Sequence, residues 1–437
     1  MKNGTFGCRV GLLFAFLGSA VFSFSSSQAR IVRLSQVEGT VQVDRNTGQG
    51  FEKAFPNLPI MQGTKIRTDK DGRAEIEFED GSALRLAPSS LVEFPELSLR
   101  DSGGKVSAVT LTEGTAYVDF KAAKDDELSL AFGHEKLVLA KAAHLRVQMG
   151  DANATLAVFK GKVEVEGPSG SLTVDKKQTA SFDLSNNDKS TLAGNLEADP
   201  FDAWDKRQNQ YHQQYSSANS YSPYGYGMSD LNYYGNFFDV PGYGLMWQPY
   251  LTGLGWNPFM DGAWFAYPGF GYTWVSAYPW GWMPYRYGTW NFVGGRGWLW
   301  QPGTSWSTWN TLPAFHNAPN QFVAPKPPAT GTQTLTVGRG PLGTGWPASS
   351  TQTVLHNNTA GLGIARGSIR DFGRVSEVVR ADGVATTTIH SAPLRTWVPG
   401  PGVGMSSHDS ERGVGYAGPS SPAIGSPASR SGGAPHK

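Results

Sequence analysis

Tryptophan is confined to the second half of this chain. None of the fourteen precedes residue 200, although the sequence runs to 437 residues. The stretch from about Arg30 to Asp199 must therefore build its core from aliphatic residues and phenylalanine. From about Tyr233 to Trp309 the chain is a Trp/Tyr/Phe/Gly/Pro run almost free of charge, and its core must come from stacked rings. Two physically different modules are joined, and the length allows two or three domains. With 54 glycines and 28 prolines, turns and short strands are favoured over long helices, so the fold class is mainly β. A formal net charge of +1 gives no reason to expect nucleic acid or an anionic membrane surface as partner.

Residues 1–29 have the pattern of an export signal. Lys2 and Arg9 make a basic start, and Val10 to Phe24 is apolar but short for a membrane span. Ser27-Gln28-Ala29 suits cleavage before Arg30; the competing reading is an uncleaved anchor. Cys8, the only cysteine, lies ahead of the apolar stretch. Cleavage would leave a cysteine-free protein without disulfides or thiolate metal sites and without an integral membrane span, located in the periplasm or secreted to the cell surface.

Residues 30–190 alternate with period two. In Arg73-Ala74-Glu75-Ile76-Glu77-Phe78-Glu79 the apolar side chains fall on one side and the charged ones on the other. Asp80-Gly81 follows as a tight-turn dipeptide, and Leu84 and Leu86 resume the alternation. Ala116/Val118/Phe120, Leu145/Val147/Met149 and Lys162-Val163-Glu164-Val165-Glu166 repeat it. Such spacing predicts an antiparallel sandwich or roll, with each sheet buried on its apolar side only.

Five segments in this region carry a family likeness. Val37-Glu38-Gly39-Thr40-Val41-Gln42-Val43, Gly63 to Thr68 with Gly72 to Ile76, Asp80 to Leu86, Thr112 to Val118, and Val158 to Val165 follow one another as in FecR-type domains, which this region resembles. Members that regulate iron uptake have a cytoplasmic helical anti-sigma segment and a membrane span ahead of this domain. Here nothing before the signal supplies one, so signalling would have to act through a membrane partner. Where many members have a Gly-Thr-Asp-Phe-like turn, this chain has Ala142-Ala143-His144-Leu145. His144 lies opposite Leu145 and Val147 and is expected to be solvated or lightly packed.

A connecting helix is predicted over 196–216, capped by Asp199 with Pro200 in its first turn. Phe201, Trp204, Gln208, Tyr211 and Tyr215 share a face that should dock on a neighbouring module. Residues 217–232 have the composition of a flexible linker. Residues 233–309 then contain a short-hairpin aromatic repeat of about 26 residues. Gly235-Asn236-Phe237, Gly262-Ala263-Trp264 and Gly288-Thr289-Trp290 open the units; Pro241-Gly242, Pro268-Gly269 and Gly294-Gly295 turn them; Trp247, Trp274 and Trp300 follow. Rings not needed for the core would form a binding surface for an envelope polysaccharide or an envelope protein, and Trp256, Trp282, Tyr250 and Tyr285 are the expected contacts. With only Arg286 and Arg296 in the repeat, base stacking on nucleic acid is not supported.

Residues 310–437 are rich in Pro, Gly, Ser, Ala and Thr and are expected to be a largely disordered tail. One island over 368–380 is the exception, where Ile369, Phe372, Val375 and Val379 share a helical face. Gly338 to Gly343 spells GxGxxG, but Pro341 forbids the helix opening a dinucleotide site needs. The histidines show no metal-ligand spacing, and no cofactor is implied. Asp230, Asp239 and Asp261 are the only acids a hydrolase could recruit in the ring module. The reading is a non-catalytic envelope binding or assembly protein. The alternative is an envelope sensor acting through a membrane partner.

Overall fold

The computed structural model describes residues 30, 32–216, 226–307, 309–329, 334–336 and 351–389. The export signal, residues 217–225 of the expected linker, the GxGxxG spelling and the remainder of the tail lie outside these residues.

Strands between Val32 and Ala193 form two sheets that share one long strand, Lys105–Phe120. Its first half pairs with Ser90–Leu99 and, in parallel, with Glu127–Phe132. Its second half pairs with Ala83–Leu86 and Ala143–Met149 in the other sheet. Alternation places Leu34, Ile76, Leu84, Val118, Leu145 and Leu156 between the sheets, all fully buried. The Asp80-Gly81 turn joins Arg73–Glu77 to Ala83–Leu86, with the Asp80 carboxylate accepting from the Ser82 amide and hydroxyl.

The charged side of the Arg73–Glu77 strand departs from expectation. Arg73, Glu75 and Glu77 are buried along with Ala74 and Ile76. This sheet is covered on both faces, because a helix, the ring module and a C-terminal segment pack on the side that alternation assigns to water.

Helix α1, Asp202–Ser216, begins at a reciprocal cap: the Asp199 carboxylate accepts from the Phe201 amide at 2.8 Å and the Asp202 carboxylate from the Asp199 amide at 2.9 Å. Its buried face is Trp204, Asp205, Gln208 and Tyr211. His144 therefore does not face water. Its ring lies tilted against Phe159 at 4.8 Å and 2.8 Å from the Asp205 carboxylate. Residues 226–232 are not linker either: Tyr226 is fully buried and helix α2 spans Met228–Tyr234.

Three hairpins follow with one geometry. Phe237 pairs with Trp247, Trp264 with Trp274, and Trp290 with Trp300, each hairpin closing through a three-residue loop. In the first two loops the Pro-Gly pair turns with Gly242 and Gly269 at φ +82° and +78°, as a type II turn requires at its second central position. The first and third hairpins join in a five-stranded sheet; the middle one forms a separate sheet with Thr334–Thr336. One face of the middle hairpin, Ala263, Phe265, Tyr267 and Val275, merges with the sandwich core, and Arg45 lies over Phe265 and Tyr267 at 5.3 and 5.1 Å. Its other face, Trp264 and Trp274, enters a core of rings.

Part of the tail is folded as well. Strands Thr351–His356 and Val384–Ile389 pair, and helix α3, Phe372–Asp382, buries Phe372, Ser376 and Val379. Together with Ala360, Ile364 and Ile369 they close the ring core, so the expected disorder does not hold for 310–329 and 351–389.

The repeat-start glycines leave room for the indoles. A Cβ on Gly262 would sit 2.4 Å from the Trp274 ring, and one on Gly235 would sit 2.4 Å from the Trp247 ring. Gly262→Ala should therefore overpack the module and cost ~1–3 kcal/mol in urea denaturation. Gly255→Ala, where a Cβ meets open space, should leave stability within about 0.5 kcal/mol of wild type.

Candidate functional site

Two features of the folded unit bear on function: a buried seam of charges between its modules, and an open cleft beside the ring core.

The seam is built on Glu75 and Glu77. Glu75 faces two arginines and a histidine from three elements: Arg85 Nε at 2.7 Å from the neighbouring strand, Arg366 Nη1 at 2.6 Å from the C-terminal segment, and His212 Nε2 at 3.0 Å from α1. Glu77 holds Arg33 Nη2 at 2.6 Å and accepts from the Gly227 amide at 3.1 Å. The Asp230 carboxylate of α2 bridges Arg33 at 2.6 Å and Arg366 at 2.8 Å and accepts from the Tyr211 hydroxyl at 2.9 Å. Asp205 completes the set against Arg85 at 2.7 Å. The side chains of Glu75, Asp230, Arg33, Arg85 and Arg366 are at most 4% exposed. Three arginines face four carboxylates, with His212 and His144 at the margin, so each buried charge has a hydrogen-bonded counter-charge.

Burial by itself would raise the Glu75 carboxyl, but His212, Arg85 and Arg366 outweigh it and hold it well below the ordinary 4.5. Asp230 is opposed in the same way by burial and is lowered by Arg366 and Arg33; Asp205 is lowered by His144 and Arg85. Asp230 is thereby engaged in holding the modules together. Asp261 accepts from the Tyr278 hydroxyl at 2.9 Å. Asp239 lies exposed on an edge strand.

The four expected contact rings are placed differently from the expectation. Trp256, Trp282 and Tyr285 are each 1% exposed. Trp256 donates through Nε1 to the Tyr278 hydroxyl at 2.9 Å, Tyr285 donates to the Pro258 carbonyl, and Trp282 meets Trp309, with the Arg286 guanidinium over both rings. Tyr250 is half-buried against Phe372 at 5.4 Å. Trp280, which sequence reasoning passed over, is the hub: it stacks on Tyr278 at 5.0 Å and Tyr285 at 6.0 Å, meets Trp247 edge-on at 4.8 Å, and donates to the Ala360 carbonyl at 2.7 Å. The expected exposure is therefore corrected to a ring interior at Trp256, Trp282 and Tyr285, while Tyr250 stays at its margin. A hairpin module of this size cannot bury so many rings by itself; the sandwich covers one side and the C-terminal segment another. Arg286 is buried there too, and burial lowers it to about 10.

The cleft lies at the edge of this core. Trp264 forms its floor, Leu312, Phe315 and Phe322 its walls, and Val323 and Pro325 part of its rim, around a volume of about 650 Å³. Phe315 is 36% and Val323 80% exposed. Its volume falls in the range of ligand sites, and one exposed ring, Phe315, stands beside prolines. Among the described residues there is no group of three or more His, Cys, Asp or Glu side chains able to hold a metal, and no helix is long and apolar enough to cross a membrane.

Stability should track the seam carboxylates. Glu75, Asp230 and Asp205 have folded pKa values below the unfolded ones, so their contribution is complete above about pH 5 and is lost as acid protonates them. Urea stability should fall from pH 5 towards about pH 3. Arg366→Met, which strips a partner from both Glu75 and Asp230, should cost ~3–5 kcal/mol at pH 7 and flatten that acid dependence. Glu38 and Asp80, raised by burial, act in the opposite sense, so an acid profile that is flat or rising in wild type and unchanged in the variant would refute the assignment.

Comparison with known proteins matches the two modules separately. The model of the FecR protein family matches residues 64–164, and that of a family of unknown function, DUF6600, matches residues 228–322. Two crystal structures described as a candidate anti-sigma factor from Parabacteroides distasonis ATCC 8503 align at 18% and 17% identity with a TM-score of 0.28. Each alignment covers 32% of this chain and 63% of that one, so the chain spans less than two thirds of their length. No curated protein matches significantly. The chain is a FecR-domain-containing protein in which that domain is followed by a DUF6600 region.

Proposed function

We propose that this is a non-catalytic binding or assembly protein of the cell envelope, exported by its N-terminal segment to the periplasm or cell surface. The FecR-like sandwich serves as a rigid base and the ring module carries the ligand surface. The observation that carries this reading is the 650 Å³ apolar cleft with Phe315 and Val323 open to solvent beside a core otherwise closed. Monomeric soluble domains rarely leave large apolar side chains clustered at a concavity without a ligand for them. The seam supports the same reading from the other side. It fixes the module to the sandwich through paired buried charges, and a preorganised surface loses less entropy on binding.

A second reading is favoured by the FecR match itself: an envelope sensor that passes its state to a membrane partner. The charged face of the Arg73–Glu77 strand is covered by α1, α2 and Arg366, so such a partner would have to meet a different surface of the domain.

Retention of the purified chain on an isolated envelope fraction tests the first reading. Phe315→Ser with Val323→Ser changes two exposed side chains and should leave the urea midpoint unchanged while retention drops about tenfold. Wild-type protein that is not retained, or a double variant retained as well as wild type, would count against the cleft. Deleting the gene and finding altered transcription, with envelope retention absent, would favour the sensor.

A further inference from the structure

Alternation along the first and third hairpins gives their shared sheet an inner and an outer face. Trp247, Trp290 and Trp300 point into the ring core. The outer face has its own small cluster, in which Val240, Met246 and Leu299 are buried beneath Phe238, Tyr243 and Val293. Around that centre stand Asn236, Gln248, Thr289 and Gln301, with Asn317 at the margin. Among the described residues of this sheet, the charged or titratable side chains near that centre are Asp239 on the edge strand, His316 beside Asn291, and Arg296, whose guanidinium lies 5.5 Å over Phe238.

The equivalent face of the middle hairpin identifies what is unusual here. There the repeat places Ala263, Phe265, Tyr267 and Val275, and the sandwich covers them. In the other two units the same face is partly exposed: Asn236 is exposed, Gln248, Thr289, Gln301, Phe238 and Tyr243 are half-buried, and Asn291 is buried with Val240, Met246 and Leu299. An ordinary solvent face in this molecule looks different: along Lys162–Gly167 the outward residues are Lys162, Glu164 and Glu166. The amides are also held in place. Gln248 donates to the Arg296 carbonyl at 2.8 Å, Gln301 to the Tyr243 carbonyl at 2.8 Å, and Asn317 to the Tyr243 hydroxyl at 3.3 Å. Gln248 Nε2 also reaches the Trp298 carbonyl at 3.5 Å, while Gln301 and Asn317 each donate one such bond, and a primary amide has two donors and two acceptor sites.

We propose that this outer face binds a neutral polysaccharide. Ring faces take the C–H side of a sugar, fixed amides exchange hydrogen bonds with its hydroxyls, and a five-stranded sheet is wide enough, roughly 20 Å, for several sugars. Charge complementarity selects the neutral class. Among the described residues, an acidic or basic polymer would find one arginine engaged on Phe238, one peripheral aspartate and one histidine at the sheet margin, with no cluster of like charge to hold it. The proposal deepens the binding reading by naming a ligand class, yet it concerns a surface distinct from the Phe315 cleft.

Affinity electrophoresis of the full chain through gels containing hydroxyethyl cellulose, laminarin or polygalacturonate tests it. Retardation is expected by at least one of the two neutral polymers and not by polygalacturonate, with little change between about 0.05 and about 0.5 M salt. Tyr243→Ala with Phe238→Ala should weaken it about tenfold, with some loss of thermal stability because both rings pack on Val240, Met246 and Leu299, and Tyr243→Trp should retain it. Should the double alanine variant unfold, Asn236→Asp with Thr289→Ala gives the same readout through polar groups alone. No retardation by either neutral polymer, retardation by polygalacturonate alone, or retardation indifferent to these variants overturns the proposal. So does concentration-dependent self-association that disappears in the variants, which would assign the face to a second copy of the chain. Retardation lost in Phe315→Ser with Val323→Ser but kept in the Tyr243 variant would sink this proposal while leaving the cleft reading intact.

Discussion

The pairing of Glu75 and Glu77 with arginines from outside their own hairpin determines how the rest of this molecule is arranged. A sheet with carboxylates along one face is ordinarily half solvated. Here Arg366, His212 and Asp230 arrive from the C-terminal segment, α1 and α2, so the carboxylates are buried with their charges matched. Once that face is closed, the middle hairpin can lie on the sandwich, and its far side can serve as the floor of a ring core. Replacing such a seam with apolar groups need not weaken a protein, but removing one member leaves an uncompensated buried charge. What the seam supplies is therefore definition: one way for the modules to meet.

Ring packing follows from the same closure. Aromatic pairs add about 0.5–1.5 kcal/mol beyond area burial, but only where both rings are shielded from water. The hairpins provide two walls of the core, and Ala360, Ile364, Ile369, Phe372 and Val379 provide the lid. Function is then left to surfaces at the margin, the Phe315 cleft and the outer face of the hairpin sheet. The indoles that dominate the composition are mostly structural.

Much of the architecture was legible in the sequence. Period-two alternation and the Asp80-Gly81 turn identified the sandwich strands, and the spacing of Gly262, Trp264, Pro268-Gly269 and Trp274 identified the hairpin geometry. The stripe Trp204, Gln208, Tyr211 marked the face on which α1 docks. What alternation does not reveal is whether a charged face meets water or a counter-charge more than a hundred residues away. Glu75 and Arg366 are separated by 291 positions, and nothing local links them. The same limit hid the burial of Trp256, Trp282 and Tyr285. Judged within a short hairpin module they exceed its interior, whereas the true interior is shared with the sandwich and with residues 351–389. One signal was available: Arg366 and the helical stripe Ile369/Phe372/Val379 interrupt a Pro/Gly/Ser-rich tail, which is what a segment that packs back on the body would show.

The distribution of tryptophan provides a direct test of the central claim, that the modules are welded through the charge seam. Among the described strands of the sandwich there is no tryptophan, so with Trp346→Phe and Trp397→Phe in the tail indole fluorescence reports the ring module and α1, while far-ultraviolet circular dichroism is dominated by the sandwich strands. Urea unfolding followed by both probes should give coincident transitions in that background. Arg33→Met, a change made entirely within the sandwich, should move the fluorescence transition to lower urea. Two separated transitions in that background, with the fluorescence transition indifferent to Arg33→Met, would contradict the account.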